Sequence, residues 1–163
     1  MDDIWRDALA YNKWANLQLL DECAELTEAQ LQLTAPGTYG SIAATFMHLL
    51  GAEQRYVKRL TGAEPVLAGK DEFPGILPLK EHARRSGDAL LSAAANLQAG
   101  EVTEVDYDGE KIGLPKSMIV VQAIHHGNDH RTHICTILGH HSIKSLDIDV
   151  WTYGQALHRG TAG

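Results

Sequence analysis

The chain has 163 residues, a net charge of -7 at pH 7 and two cysteines. This length fits one domain, over residues 1–163, and can bury a core without disulfides. The acidic balance argues against a nucleic-acid-binding protein, which needs a basic surface for phosphate contacts. Cys23 and Cys135 form no CxxC pair, no secretory leader precedes them, and no apolar stretch is long enough for a membrane span. We therefore expect a cytoplasmic protein that binds neither nucleic acid nor membranes.

Two amphipathic helices are predicted in the first part of the chain. Within residues 1–25, apolar residues recur at spacings of three and four without Gly or Pro, which predicts helix one. After the turn-rich segment 36–40, Ser41 is a suitable N-cap for helix two, over residues 42–60.

A long connection separates helix two from helix three. Residues 61–77 contain several Gly and Pro residues, which argue against regular structure. A connection of this length can cross the molecule and set helices two and three parallel, whereas short connections produce antiparallel neighbours. Pro78 suits the first turn of helix three, and Gly100 suits the position just after its end.

A short β-ribbon and a fourth helix are predicted next. Within residues 102–114, Asp108-Gly109 is a dipeptide that favours the type I′ turn of a hairpin. Pro115 then opens helix four, which runs to Gly139. The chain is therefore predicted to be all-α, with at most a small ribbon before helix four.

The C-terminal segment after helix four is short and polar over residues 140–163. No internal repeat or low-complexity tract is present in it or elsewhere. Trp151 and Tyr153 are expected to anchor this segment back onto the helices.

Predicted helix four carries a cluster of histidines: His125, His126, His130 and His133. Because each helical residue advances by roughly 100°, positions three, four and seven apart share a face. His126, His130 and His133 therefore lie together on an otherwise apolar face, whereas His125 lies among polar residues. Imidazole is the commonest protein ligand for zinc and similar ions, and an i, i+4 pair can bind one ion. The spacing predicts His126 and His130 as two ligands of one metal ion.

A third ligand must come from another helix. Buried imidazoles without partners are costly, so either a metal ion or a dense hydrogen-bond network must hold this cluster. A metal ion is the simpler explanation. His48 on helix two is the best candidate for the third ligand, because Thr45 and Ala52 beside it are small and leave room. Considered alone, such a histidine is more often a structural residue at the margin of the core.

Several motifs, in this order, resemble the DinB-like (DinB/YfiT) family of metal-dependent enzymes. The matching segments are Tyr11 to Asn16 (YNKWAN), Gly40 to Ile42 (GSI), His48 to Glu53 (HLLGAE), His126 to Arg131 (HGNDHR) and Asp149 to Gly154 (DVWTYG). The resemblance covers nearly the whole chain. It implies a four-helix bundle in the up-down-down-up arrangement, with the long crossover between helices two and three, and a homodimer.

The resemblance also implies a mononuclear three-histidine site, carried here by His48, His126 and His130, with zinc or nickel as the cofactor. In the family the second ligand of helix four is commonly followed by Arg-Gly-Gln, whereas here Arg131-Thr132-His133 follow it. His133 is therefore expected to support a ligand, to carry protons in catalysis or to act as an occasional fourth ligand.

The resemblance specifies the residues of the metal site more closely than it specifies the type of reaction. Related branches include transferases and isomerases that use low-molecular-weight thiols such as bacillithiol or mycothiol. An open position on the ion would allow hydrolysis by ionised water or presentation of a thiolate to an electrophile. We expect thiol transfer to a small-molecule substrate, because no carboxylate is clearly placed as a general base. The alternatives are a metal-dependent hydrolase and a non-catalytic, stress-related metal-binding protein; a ferritin-like di-iron protein is disfavoured because its Glu-x-x-His ligands are absent.

Overall fold

The computed structural model describes residues 3–67 and 72–162. Its elements in chain order are α1 (Asp3–Cys23), α2 (Glu28–Leu31), α3 (Ile42–Thr61), α4 (Ile76–Ala95), β1 (Val102–Tyr107), β2 (Glu110–Pro115), α5 (Lys116–His140) and α6 (Val150–Arg159). The described chain is thus mostly helical with one small antiparallel sheet, which confirms this part of the prediction. None of these helices combines the length and the apolar character needed to cross a membrane.

Most of the residues predicted to cap, begin or end a helix lie at a helix boundary in the structure. The Ser41 hydroxyl oxygen caps α3 by accepting a hydrogen bond from the Ala44 backbone N–H at 3.2 Å. Helix α4 begins two residues before Pro78, which still lies in the first turn, where its missing N–H costs no helical bond. It ends at Ala95 rather than beside Gly100, so the prediction for this end was wrong. Of the predicted irregular connection, residues 68–71 lie outside the described residues.

The predicted ribbon is present between α4 and α5. Strands β1 and β2 pair antiparallel with Tyr107 opposite Glu110, which leaves a two-residue loop. Asp108 and Gly109 both have positive φ, 52° and 85°, as a type I′ turn requires. The Asp106 carboxylate accepts a hydrogen bond from the Gly109 N–H at 2.9 Å and holds the turn.

Of the three buried apolar clusters among the described residues, two take residues from all four long helices, and these two lie at different levels. One cluster includes Ile42 from the start of α3 and Leu79 from the start of α4. The other includes Leu60 and Ala94 from the ends of the same helices. Helices α3 and α4 therefore run in the same direction, as their long connection predicts. Helix α1 runs opposite to α4, because Lys13 pairs with Asp88 at 2.6 Å and Asp21 pairs with Lys80 at 2.5 Å.

The C-terminal segment contains a helix that the sequence pattern did not indicate. Asp149 caps α6 by accepting a hydrogen bond from the Thr152 backbone N–H at 2.8 Å. Tyr153 is buried against Trp14, with ring centroids 5.3 Å apart, so it anchors the segment as expected. Trp151 is 83% exposed, and its predicted anchoring role was wrong. On a helix, residues two apart point to opposite sides, so both side chains cannot face the core.

A network of buried polar side chains links all four long helices. Asn12 and Asn16 of α1 each donate a hydrogen bond to Glu53 Oε2 of α3, at 3.2 and 3.1 Å. Each also accepts one through Oδ1 from Arg131 Nη1 of α5, at 2.8 and 2.7 Å. The hydroxyl of Ser86 on α4 donates to Glu53 Oε1. With Glu53 only 3% exposed and Arg131 only 2% exposed, the two asparagines bridge two charges in the helical core.

Gly127 allows α5 to approach this network. A Cβ at this position would lie 2.2 Å from Asn12 Oδ1 and 2.9 Å from Arg131 Nη1. Both neighbours are held by the network, so neither can move away cheaply. Glycine, which has no side chain, is therefore required at position 127.

We expect Gly127→Ala to lower the free energy of unfolding by about 1 to 3 kcal/mol through overpacking. This loss should appear despite the gain of about 1 kcal/mol that alanine normally brings to a helix. Urea unfolding followed by circular dichroism would measure it. Gly139→Ala on the same helix is the control, because a Cβ there meets nothing within 4 Å. Equal stability of the two variants would contradict the close approach at Gly127.

The coupling of the two buried charges can be measured by a double-mutant cycle. Glu53→Gln and Arg131→Met should each lower the free energy of unfolding by about 3 to 5 kcal/mol, because each leaves the opposite charge uncompensated. The double variant should lose clearly less than the sum of the two losses. The exposed pair Lys58–Glu64 is the control, and its variants should change stability by about 1 kcal/mol or less. Additive losses at Glu53 and Arg131 would show that the network does not couple them.

Candidate metal centre

The structure brings three of the predicted site residues together between α3 and α5. These helices run antiparallel, so that Tyr56 lies opposite Gln122 and His48 lies opposite His126. The Nε2 atoms of His48 and His126 are 3.1 Å apart. His130, one turn further along α5, has its ring centroid 4.6 Å from that of His48 and 4.3 Å from that of His126.

Burial keeps these imidazoles unprotonated. The pKa of His126 is lowered to about 4, mainly by loss of hydration and then by the neighbouring charges of His130, His48 and Arg55. Burial also lowers the pKa of His130 to about 4, with His48 as the next cause. The pKa of His48 is lowered by burial first and by Arg55 second. Near neutral pH each of the three rings is therefore uncharged and has one nitrogen with a lone pair that can bind a metal ion.

This arrangement fits a metal ion that prefers nitrogen ligands. One potential ligand atom from each of His48, His126 and His130 lies within 4.8 Å of the others. In a tetrahedral site with nitrogen–metal distances of about 2.0 to 2.1 Å, two ligand nitrogens are about 3.3 Å apart, close to the separation of the His48 and His126 nitrogens. His130 is only 5% exposed, and its Nδ1 has no hydrogen-bond partner in the described part of the chain. Zinc and nickel both suit such an imidazole set.

His133 and Asp129 border the three-histidine group. The His133 ring meets the His130 ring edge to face at a centroid distance of 5.3 Å, and its buried Nδ1 has no partner among the described residues. Asp129 is exposed, as its helix position predicts, yet its carboxylate lies within 4.8 Å of ligand atoms of both histidines. His125 is exposed and belongs to neither group. The role of His133 stays a prediction.

Tyr39 is a neighbour of the site that the sequence did not reveal. Its ring stacks on His48 with centroids 4.1 Å apart and meets the edge of His130 at 5.1 Å. It comes from the turn before α3, where Gly37 has a φ of 79°. The sequence indicated only a turn here, because stacking across the fold has no local signal. Tyr39 forms the outer wall of the histidine cluster and is itself half exposed.

Neither cysteine is suited to nucleophilic catalysis. Burial raises the pKa of Cys23 to about 12, with Glu22 as the next cause. Burial also raises the pKa of Cys135. Since the thiolate is the reactive form, both side chains act as small apolar residues.

Comparison with known proteins agrees with these observations. No curated protein matches the chain. The model of the DinB family matches residues 1–154, a range that includes all three clustered histidines. The chain therefore belongs to the DinB family.

Proposed function

We propose that this protein is a metal-dependent enzyme that transfers a low-molecular-weight thiol to a small electrophilic substrate. His48, His126 and His130 would hold one zinc or nickel ion. The observation that carries the proposal is the convergence of three unprotonated imidazoles, with no carboxylate among them, from two antiparallel helices. A bound ion would supply positive charge that lowers the pKa of a thiol beside it.

The side chains around the cluster support a role in binding and proton transfer. A cavity beside His48 gives a small molecule access to this face of the cluster. Tyr39 covers part of the histidine rings and keeps water from one side. His133 has a free ring nitrogen next to His130 and would take up the proton that the thiol releases.

A specific observation also favours hydrolysis as a second candidate function. The Asp129 carboxylate lies close to ligand atoms of His130 and His133. A carboxylate and an imidazole in this position would serve as a general base for water. Whether the protein acts as a thiol transferase or as a hydrolase therefore depends on whether a thiol or water occupies the cavity.

We also propose that the four long helices form an up-down-down-up bundle and that the protein is a cytoplasmic homodimer. The common direction of α3 and α4 and the opposite directions of α1 and α4 support this helix arrangement. The absence of a membrane-crossing helix among the described residues is compatible with the proposed location.

Metal binding is tested by single replacements of the ligands. His48→Ala, His126→Ala and His130→Ala should each weaken zinc binding by more than about 100-fold, since even residues outside the ligand set typically contribute 10- to 100-fold. Competition with a chromophoric chelator and elemental analysis would measure affinity and content. His125→Ala is the control, because this side chain is exposed on the same helix and should not change affinity. Unchanged affinity in His48→Ala would show that the third ligand is assigned to the wrong residue.

Catalysis is tested with zinc- or nickel-loaded protein against a panel of thiols with electrophiles, and against esters and amides. We expect turnover with a thiol and an electrophile that disappears on chelation. His133→Gln should retain the metal, because it changes no proposed ligand, and should lower kcat or shift its pH profile. A fully loaded protein without turnover on any substrate would favour the non-catalytic alternative. Turnover confined to esters or amides would favour the hydrolase.

A further inference from the structure

The cavity beside His48 has a volume of about 430 Å³. This size lies within the range of pockets that hold small molecules. Its lining includes Tyr39, Met47, His48, Arg55 and Phe73. The cavity is therefore a place where a ligand would contact both the histidine cluster and a guanidinium group.

Arg55 is the basic side chain that lines this cavity. It is half-buried, and it makes no hydrogen bond or ion pair with any residue in 3–67 or 72–162. Two lysines show the contrast: Lys58 pairs with Glu64 at 2.7 Å, and Lys116 pairs with Glu101 at 2.7 Å. A partly desolvated guanidinium without a partner is unfavourable, so an incoming anion would gain a ready contact.

The surroundings of Arg55 favour an anion with an apolar body. Among the described residues no acidic side chain lines the cavity, so none of them competes there for the guanidinium. The Arg55 charge also reaches the cluster, where it lowers the pKa of His48 after the larger effect of burial. Met47 and Phe73 provide apolar surface beside it. The planar guanidinium suits the paired oxygens of a carboxylate or phosphate.

We propose that this cavity binds a small organic anion, whose carboxylate or phosphate group pairs with Arg55 and whose apolar body lies against Met47 and Phe73. That the anion is the substrate rests on the proposed function. The anion site itself needs no metal ion, because its cation is a side chain of the protein. Anion binding and metal-dependent turnover can therefore fail separately.

The test titrates metal-free full-length protein with benzoate, phenyl phosphate and the neutral analogue benzamide, followed by amide chemical shifts. At least one anion should shift the signals of residues that line the cavity and bind more tightly than benzamide. Arg55→Gln should weaken that anion by about tenfold or more, as expected for loss of a charge-assisted hydrogen-bonded pair. Arg55→Lys should fall between Gln and wild type, because lysine keeps the charge but loses the planar pair of donors. Benzamide should bind all three proteins alike.

Arg59→Gln is the matched control. It removes the same charge one turn further along α3, where the guanidinium lies over the Tyr56 ring, 5.9 Å from its centroid, and not in the cavity. It should leave anion affinity within about twofold, since Arg59 does not line the cavity and has no hydrogen bond with the anion to lose. Thermal unfolding of each variant would show that the fold is kept. If Arg55→Gln does not fold, Arg55→Lys is the variant that tests the anion site.

Two results would overturn the proposal: neither anion binds wild type more tightly than benzamide, or Arg55→Gln binds the anion as tightly as wild type does. A separate assay of zinc-loaded protein addresses the proposed function. If the zinc-loaded protein catalyses thiol transfer, Arg55→Gln should raise KM for an anionic electrophile and leave kcat nearly unchanged. Anion binding to metal-free protein, together with absent turnover, would keep the anion site and reject the thiol transferase.

Discussion

The buried link between Glu53 and Arg131 is the constraint on which the position of the site depends. Two charges are tolerated in this core because Asn12 and Asn16 each donate to the carboxylate and accept from the guanidinium. Few helix arrangements let the same two asparagines reach both charged groups, so the network aligns α1, α3 and α5 along their lengths. Arg131 directly follows His130 in the sequence. The same alignment therefore sets how deep the histidine cluster lies.

The chemistry of the cluster follows from that depth. A solvated histidine is partly protonated near neutral pH, but removal from water disfavours the charged ring. The pKa of His126 and that of His130 both fall to about 4 for this reason, and the ring nitrogens are free to bind a cation. Arg55 stands on the cavity side of the same cluster. The fold thus places neutral imidazole nitrogens in the cluster and a positive charge in the wall of the adjoining cavity.

Sequence periodicity predicted those features that depend on neighbours along the chain. The long helices, the Asp108-Gly109 turn and the shared face of His126 and His130 all follow from local spacing. Local spacing does not predict the stacking of Tyr39 on His48 or the link from Glu53 to Arg131, because each joins residues from different elements. Helix α6 was missed because it is short and mostly exposed, and the segment that contains it was interpreted only as a polar C-terminal tail. The position of Arg55 in a cavity wall also has no local signal, because the cavity is formed by residues from separate parts of the chain.

The packing at Gly127 has a consequence for how relatives of this protein diverge. The space that a side chain at 127 would need is filled by Asn12 and Arg131, which lie on two different helices. A larger residue at 127 becomes tolerable only when one of these neighbours is smaller. Positions 12, 127 and 131 should therefore change together during evolution. Lineages that have lost the asparagine or the arginine should be those in which the glycine is also replaced.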